Sequence, residues 1–203
     1  MEFKRFSAGS LEYGTNNPAP FDYPAGVTNV NFEDPRYWEH VQDRNHENNA
    51  NLKAFFEALG LCHTVITDKK KDKEGNEFVV YNASSPDELA LVNGARHLGF
   101  SFVTRDDENQ LVCETWDGIR KYKLLNLIEF DSDRKRMTVV VRTPEGKILV
   151  ICKGADSIIE KRLKSGQAIL PTTQAYLDAY AKEGLRTLLI ASKEISDAEY
   201  NEW

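Results

Sequence analysis

Between residues 100 and 153 the chain carries β-favouring stretches so closely spaced that their pairing is forced. Runs at 100–105 and 110–115 are separated only by the polar turn at 106–109, and Asp117-Gly118 turns directly into a long strand over 119–130. The stretches 130–141 and 147–153 then form a hairpin across TPEG at 143–146. Parallel neighbours need a crossover of about a dozen or more residues, so these strands must run antiparallel.

Helical periodicity surrounds this ribbon. Leu52, Phe55, Phe56 and Leu59 recur at helical spacing, which predicts a helix near 48–59 stopped by Gly60. In SSPDELALVNGARHLGF, Ser85 is an N-cap, Pro86 takes the first helical position and Glu88 completes a capping box. That helix buries Leu91, Ala95 and Leu98 and ends at Gly99. Further helices are expected at 155–163 and 173–183, a strand at 185–191, and a last capping box at Ser196 and Glu199. DKKKDKEGN at 68–76 reads as an exposed charged loop before a strand at 78–81. The segment 14–36 holds four of the seven prolines and reads as a surface stretch clamped by Phe21, Tyr23 and Phe32. The predicted class is α+β: a mostly antiparallel sheet flanked by helices.

Composition narrows the function. With 203 residues the chain suits one domain, or one domain with tails. A net charge of -6 argues against broad duplex nucleic-acid binding, which rests on neutralising many phosphates. No apolar run approaches the ~20 residues of a membrane helix, and the N-terminus lacks the apolar centre of a secretory signal. Cys62, Cys113 and Cys152 are odd in number and widely spaced, which suits reduced thiols better than a disulfide frame or metal site.

Against that acidic background, FDSDRKRMTVVV at 130–141 and ICKGAD at 151–156 stand out. Alternation places Tyr122, Leu124, Ile128 and Phe130 on one strand face, so Phe130 reads either as core or, being last on its strand, as a rim ring able to stack on a planar base. Leu149, Ile151 and Lys153 also share a face. A lysine continuing an apolar row either snorkels to the surface or carries its ammonium to an open mouth, with Gly154 removing a side chain where a ligand can approach. Arg134, Lys135 and Arg136 sit beside Asp131 and Asp133, an arrangement that also fits a self-neutralising turn. His63 fits packing at a helix end better than metal ligation. An aromatic rim with several cations suits a nucleotide, or a single-stranded nucleic acid. The chain contains neither GxxxxGK[ST] nor GxGxxG, no Ser-His-Asp arrangement stands out, and no His, Cys, Asp and Glu cluster has metal-ligand spacing.

SSPDELALV, FDSDRKRMTVVV, CKGAD and EGLRTL, in this order, resemble the nucleotide-binding domain of P-type ATPases, and SSPDE with RKRM and CKGAD is most similar to the phospholipid-flippase branch. The resemblance implies an antiparallel sheet with ATP at one edge. Phe130 matches the ring that stacks on adenine, Lys153 the lysine lining the base and ribose pocket, and Glu88 the acid near the adenine amino group. Arg186 matches an arginine directed toward the phosphates and Lys135 a basic residue beside the pocket; Gly154 and Ala155 give its close wall, and Asp87, Ser132 and Met137 are weaker matches. The phosphorylation motif DKTGTLT is not in this sequence, so no catalytic residue is expected in it. Residues 1–36 are expected to continue from the phosphorylation domain, with the nucleotide-binding domain at 37–203. The same resemblance implies a cytosolic domain of an integral membrane protein. Its partners are ATP, with Mg²⁺ held largely by the phosphates, the phosphorylation and actuator domains of the same polypeptide and an accessory subunit.

Overall fold

The fold is described by a computed structural model over residues 1–14 and 22–203. It begins with a short hairpin, β1 (Phe6–Ala8) and β2 (Leu11–Tyr13), and two helices, α1 (Pro35–Gln42) and α2 (Asn49–Leu61). A second hairpin follows, β3 (Ile66–Lys71) and β4 (Glu77–Asn82), then α3 (Pro86–His97). The main meander is β5 (Ser101–Arg105), β6 (Gln110–Thr115), β7 (Gly118–Asp131), β8 (Arg136–Arg142) and β9 (Ile148–Gly154). Helices α4 (Asp156–Glu160) and α5 (Leu170–Lys182), strand β10 (Leu189–Ile195) and helix α6 (Asp197–Glu202) complete the chain.

The predicted antiparallel sheet is present, with six strands in the order β10-β9-β8-β7-β6-β5 and every pairing antiparallel. Two-versus-one irregularities in β7, one between Leu124 and Asn126 and one between Ile128 and Asp131, break the simple alternation expected along it. Asp131 makes the β7–β8 turn: its Oδ1 accepts from the backbone N–H groups of Asp133 at 3.0 Å and Arg134 at 2.7 Å. Lys135 closes that turn at φ +53°, and its carbonyl accepts from Ala155 N at 3.0 Å.

One core joins the inner sheet face, carrying Tyr122, Met137, Val139, Val141 and Ile151, to Leu52, Phe56 and Leu59 of α2 and to Val92, Ala95 and Leu98 of α3 and its C-cap. Phe3, Phe6 and Tyr13, from the segment expected to lead in from another domain, lie in the same core. Tyr23 and Phe32 do clamp the following stretch, the Phe32 amide donating to the Tyr23 hydroxyl at 3.3 Å. Phe21 lies outside the described residues.

Several boundaries move. Gly60 does not stop α2; the helix runs on to Leu61, and the Phe100 ring lies where a side chain at 60 would go. Residues 68–71 of the expected charged loop belong to β3 and pair with β4, leaving only the tip as a turn, where Asp72 Oδ1 caps the amides of Glu74 and Asn76. The last strand starts at Leu189 rather than 185, because Leu185 still closes the α5 terminus by donating to Tyr180 O at 3.0 Å. Leu91 is only half-buried. Ser196 and Glu199 form the complete capping box expected of them.

Candidate functional site

Three strands and one helix end bring the singled-out residues together. In β8 Met137 is registered against Lys153 of β9, which is registered in turn against Ile190 of β10. On the other side of β8, the second irregularity sets both Glu129 and Phe130 opposite Met137. Phe130, Met137 and Lys153 therefore lie in one row across the sheet, with ring and lysine two strand spacings apart, about 10 Å. The core reading of Phe130 is wrong: the residue is 61% exposed, one position before the end of β7, whereas Met137 beside it is 2% exposed.

Lys153 is 8% exposed, so it is not a snorkelling surface lysine. Its ammonium enters the inner face, near the end of α2 and the first turn of α3. There Nζ lies 3.8 Å from Glu88 Oε1, beyond hydrogen-bond distance, and it is fully enclosed yet donates no hydrogen bond to the protein. A buried ammonium is costly unless acceptors meet its three protons.

Glu88, equally enclosed, does not close the expected capping box. Ser85 Oγ accepts from Glu88 N at 3.4 Å, but the carboxylate turns away to Thr64, taking the Thr64 amide on Oε1 at 2.9 Å and its hydroxyl on Oε2 at 2.7 Å. Thr64 is held by its neighbour. His63 Nε2 donates to Gly60 O at 3.0 Å, and its Nδ1 accepts from Val65 N at 3.1 Å. Burial, reinforced by the Lys153 charge, pushes the His63 imidazole down to about 3, which keeps this one-donor, one-acceptor form neutral. His63 thus packs at the end of α2, as its sequence position suggests. Beneath Lys153, burial raises the Cys62 thiol to about 11, leaving it protonated.

Residue 87 supplies a second ion pair in the same helical turn: Arg186 Nη2 lies 3.0 Å from Asp87 Oδ2. Arg186 does not begin a strand; it stands three residues before β10, largely exposed. Asp87 Oδ1 is enclosed without a hydrogen-bond partner. Lys135 and Ser132 are exposed on the β7–β8 turn, and Arg134 pairs with Asp131 there, so the turn is in part self-neutralising. What approaches Gly154 closely is the Lys135–Arg136 segment: a Cβ at 154 would come within 2.4 Å of Lys135 O and 2.7 Å of Arg136 Cβ. Ala155 follows as the N-cap of α4. Among the described residues no group of three or more His, Cys, Asp and Glu side chains could hold a metal ion. Thr64 is the site residue that sequence reasoning missed. It belongs to no motif and lies 24 positions from Glu88, so only the fold reveals the contact.

A meander of antiparallel strands backed by two helices, with a rim aromatic and an enclosed lysine on one row, defines a class of domain. The chain belongs to the P-type ATPase cytoplasmic domain N family, whose model matches residues 51–203. It is 42% identical over 193 residues to phospholipid-transporting ATPase ID of Homo sapiens, covering 92% of this chain and 15% of the relative. It is 39% identical over 184 residues to phospholipid-transporting ATPase 6 of Arabidopsis thaliana, with 88% and 14% covered. It is 45% identical over 152 residues to phospholipid-transporting ATPase IC of Homo sapiens, with 75% and 12% covered. The chain thus spans 15% or less of the length of these relatives, and their names bear out the resemblance to the flippase branch. Among the described residues no helix is long and apolar enough to cross a membrane.

Proposed function

We propose that this domain binds ATP at the row formed by Phe130, Met137 and Lys153, and presents the γ-phosphate to an aspartate on a separate phosphorylation domain of a phospholipid-transporting pump. The observation that carries this reading is the Lys153 ammonium, enclosed and without a hydrogen-bond acceptor from the protein. Phe130 offers an exposed face to the base, and Glu88, an acceptor only, meets the amino group on the base. Lys153 supplies donors to ring nitrogen or ribose oxygen. Arg186 leaves or shares Asp87 to meet the phosphates, an exchange eased by the low value of an exposed ion pair. Lys135 and Ser132 extend the polar rim, while Gly154 and Ala155 brace its wall.

Phosphoryl transfer depends on in-line placement and charge neutralisation, so gripping the base and aiming the phosphates is a sufficient contribution. Mg²⁺ keeps few protein ligands and would travel with the phosphates; no residue of this chain is assigned to it. Residues 1–36 lead in from the phosphorylation domain in this reading. The actuator domain, the membrane part and an accessory subunit lie elsewhere in the pump.

Titrating ATP into the chain and following amide shifts tests the assignment. Phe130, Lys153 and Glu88 are expected to move at millimolar ligand. Phe130→Ala should weaken binding by about 1–3 kcal/mol, or roughly 5- to 150-fold. Lys153→Ala should weaken it with the fold retained, and Lys70→Ala, on the exposed β3 strand, should have no effect. Equal effects from all three substitutions, or tight and steeply salt-dependent oligonucleotide binding, would overturn the proposal.

A further inference from the structure

Lys153 and Glu88 carry opposite charges at close quarters, yet do not bond directly. Their separation of 3.8 Å exceeds the roughly 2.7–3.2 Å of an N–H···O hydrogen bond. Both side chains are about nine-tenths enclosed, so mutual attraction is poorly screened and would ordinarily draw them together. Something must hold the carboxylate back. The terminal torsion of a glutamate is broad and cannot do so alone. The groups that bond it are the Thr64 amide at 2.9 Å and the Thr64 hydroxyl at 2.7 Å, one on each oxygen. Both are bonds to an ionised acceptor, the stronger kind, and together they fix the plane as well as the position of the carboxylate. Thr64 can do this because the segment carrying it is pinned on both sides by the His63 ring, to Gly60 O and from Val65 N.

We propose that Thr64 is the positioning residue of this site: its amide and hydroxyl hold the Glu88 carboxylate off the Lys153 ammonium, so that acceptor and donor stay separately available to a ligand. The two charges face each other as an ion pair, but neither uses up the other's hydrogen-bonding capacity before ligand arrives. The ligand this suits presents a donor and an acceptor side by side, as an aminopurine edge does. The inference rests on the nucleotide reading above for its ligand and on the hydrogen bonds alone for its geometry.

The experiment is a double-mutant cycle read by ATP affinity, with Thr64→Val removing the hydroxyl at nearly constant shape and Thr64→Ser retaining it. Thr64→Val is expected to weaken ATP binding about five- to tenfold. Thr64→Ser should restore binding to near the parent value. In a Glu88→Gln background, Thr64→Val should cost little, because no carboxylate remains to collapse onto Lys153. A merely structural threonine would cost the same in both backgrounds, and that result, or no loss from Thr64→Val, would overturn the proposal. A second measurement needs no nucleotide. In the free chain Glu88→Gln should move the Thr64 amide proton upfield as its charged acceptor is lost, and an unmoved amide refutes the geometric claim. Failure of the parent chain to bind ATP, with that amide shift present, instead refutes the nucleotide reading and the ligand half of this inference.

Discussion

At the scale of single residues, His63 shows how burial converts a titratable group into a structural pin. Its ring must stay neutral to accept from Val65 N while donating to Gly60 O. In the folded chain its pKa is depressed to about 3 from an ordinary value of 6.5. Between those values the unfolded chain binds more protons than the folded one, so stability is fully present above about pH 6.5 and is lost as the pH falls toward 3. The slope approaches about 1.4 kcal/mol per pH unit from this group alone. His97, depressed by burial, and His40, depressed by burial and its neighbours His46 and Arg36, add in the same direction. Urea unfolding at pH 7 and pH 5 should therefore show a loss of about 2 kcal/mol attributable to His63. His63→Leu should be less stable at pH 7 but flatter with pH; a slope matching the parent chain would contradict this account. The residue-level chemistry was half legible. Phe130 and Lys153 announce themselves because an aromatic residue ending a strand and a lysine in an apolar row are locally anomalous. Thr64 is locally ordinary, and its value comes from Glu88, which the fold delivers.

At the scale of elements, the meander was the most legible part, since short polar turns leave antiparallel pairing as the only solution. What pattern could not show was where β7 kinks, because an extra residue is invisible to a period of two. Helix ends erred for a related reason. Gly60 reads as a stop, but its lack of a side chain serves packing: a Cβ there would come within 2.2 Å of Phe100 Cδ1. By propensity alone Gly60→Ala would stabilise α2 by about 1 kcal/mol. Because the ring is itself buried and cannot retreat, overpacking should win and destabilise the chain by about 1–3 kcal/mol. A thermal melt decides the sign, and a rise in melting temperature would show that the ring yields.

At the scale of the whole molecule, the N-terminal hairpin belongs to the same packed unit as the sheet. Phe6 stacks on Tyr13 at 5.0 Å and Phe55 at 4.9 Å and meets Phe56 edge-on at 4.9 Å, while Arg5 reaches Glu183 beyond α5 at 2.9 Å. None of this was legible, because strands of three residues carry too little pattern and their partners lie far along the chain. Phe6→Ala should cost about 3–5 kcal/mol by denaturant titration, and a cost below about 1 kcal/mol would show that the hairpin merely rests on the surface. The register of β9 on β8 has a further consequence for assembly of the site. A slip of one position would swing Lys153 outward, turn Cys152 inward and expose Ile151, so the same error would spoil both the apolar face and the cation's place. Ligand capture would then act as a proofreader of strand alignment, engaging only chains whose ribbon has closed in step.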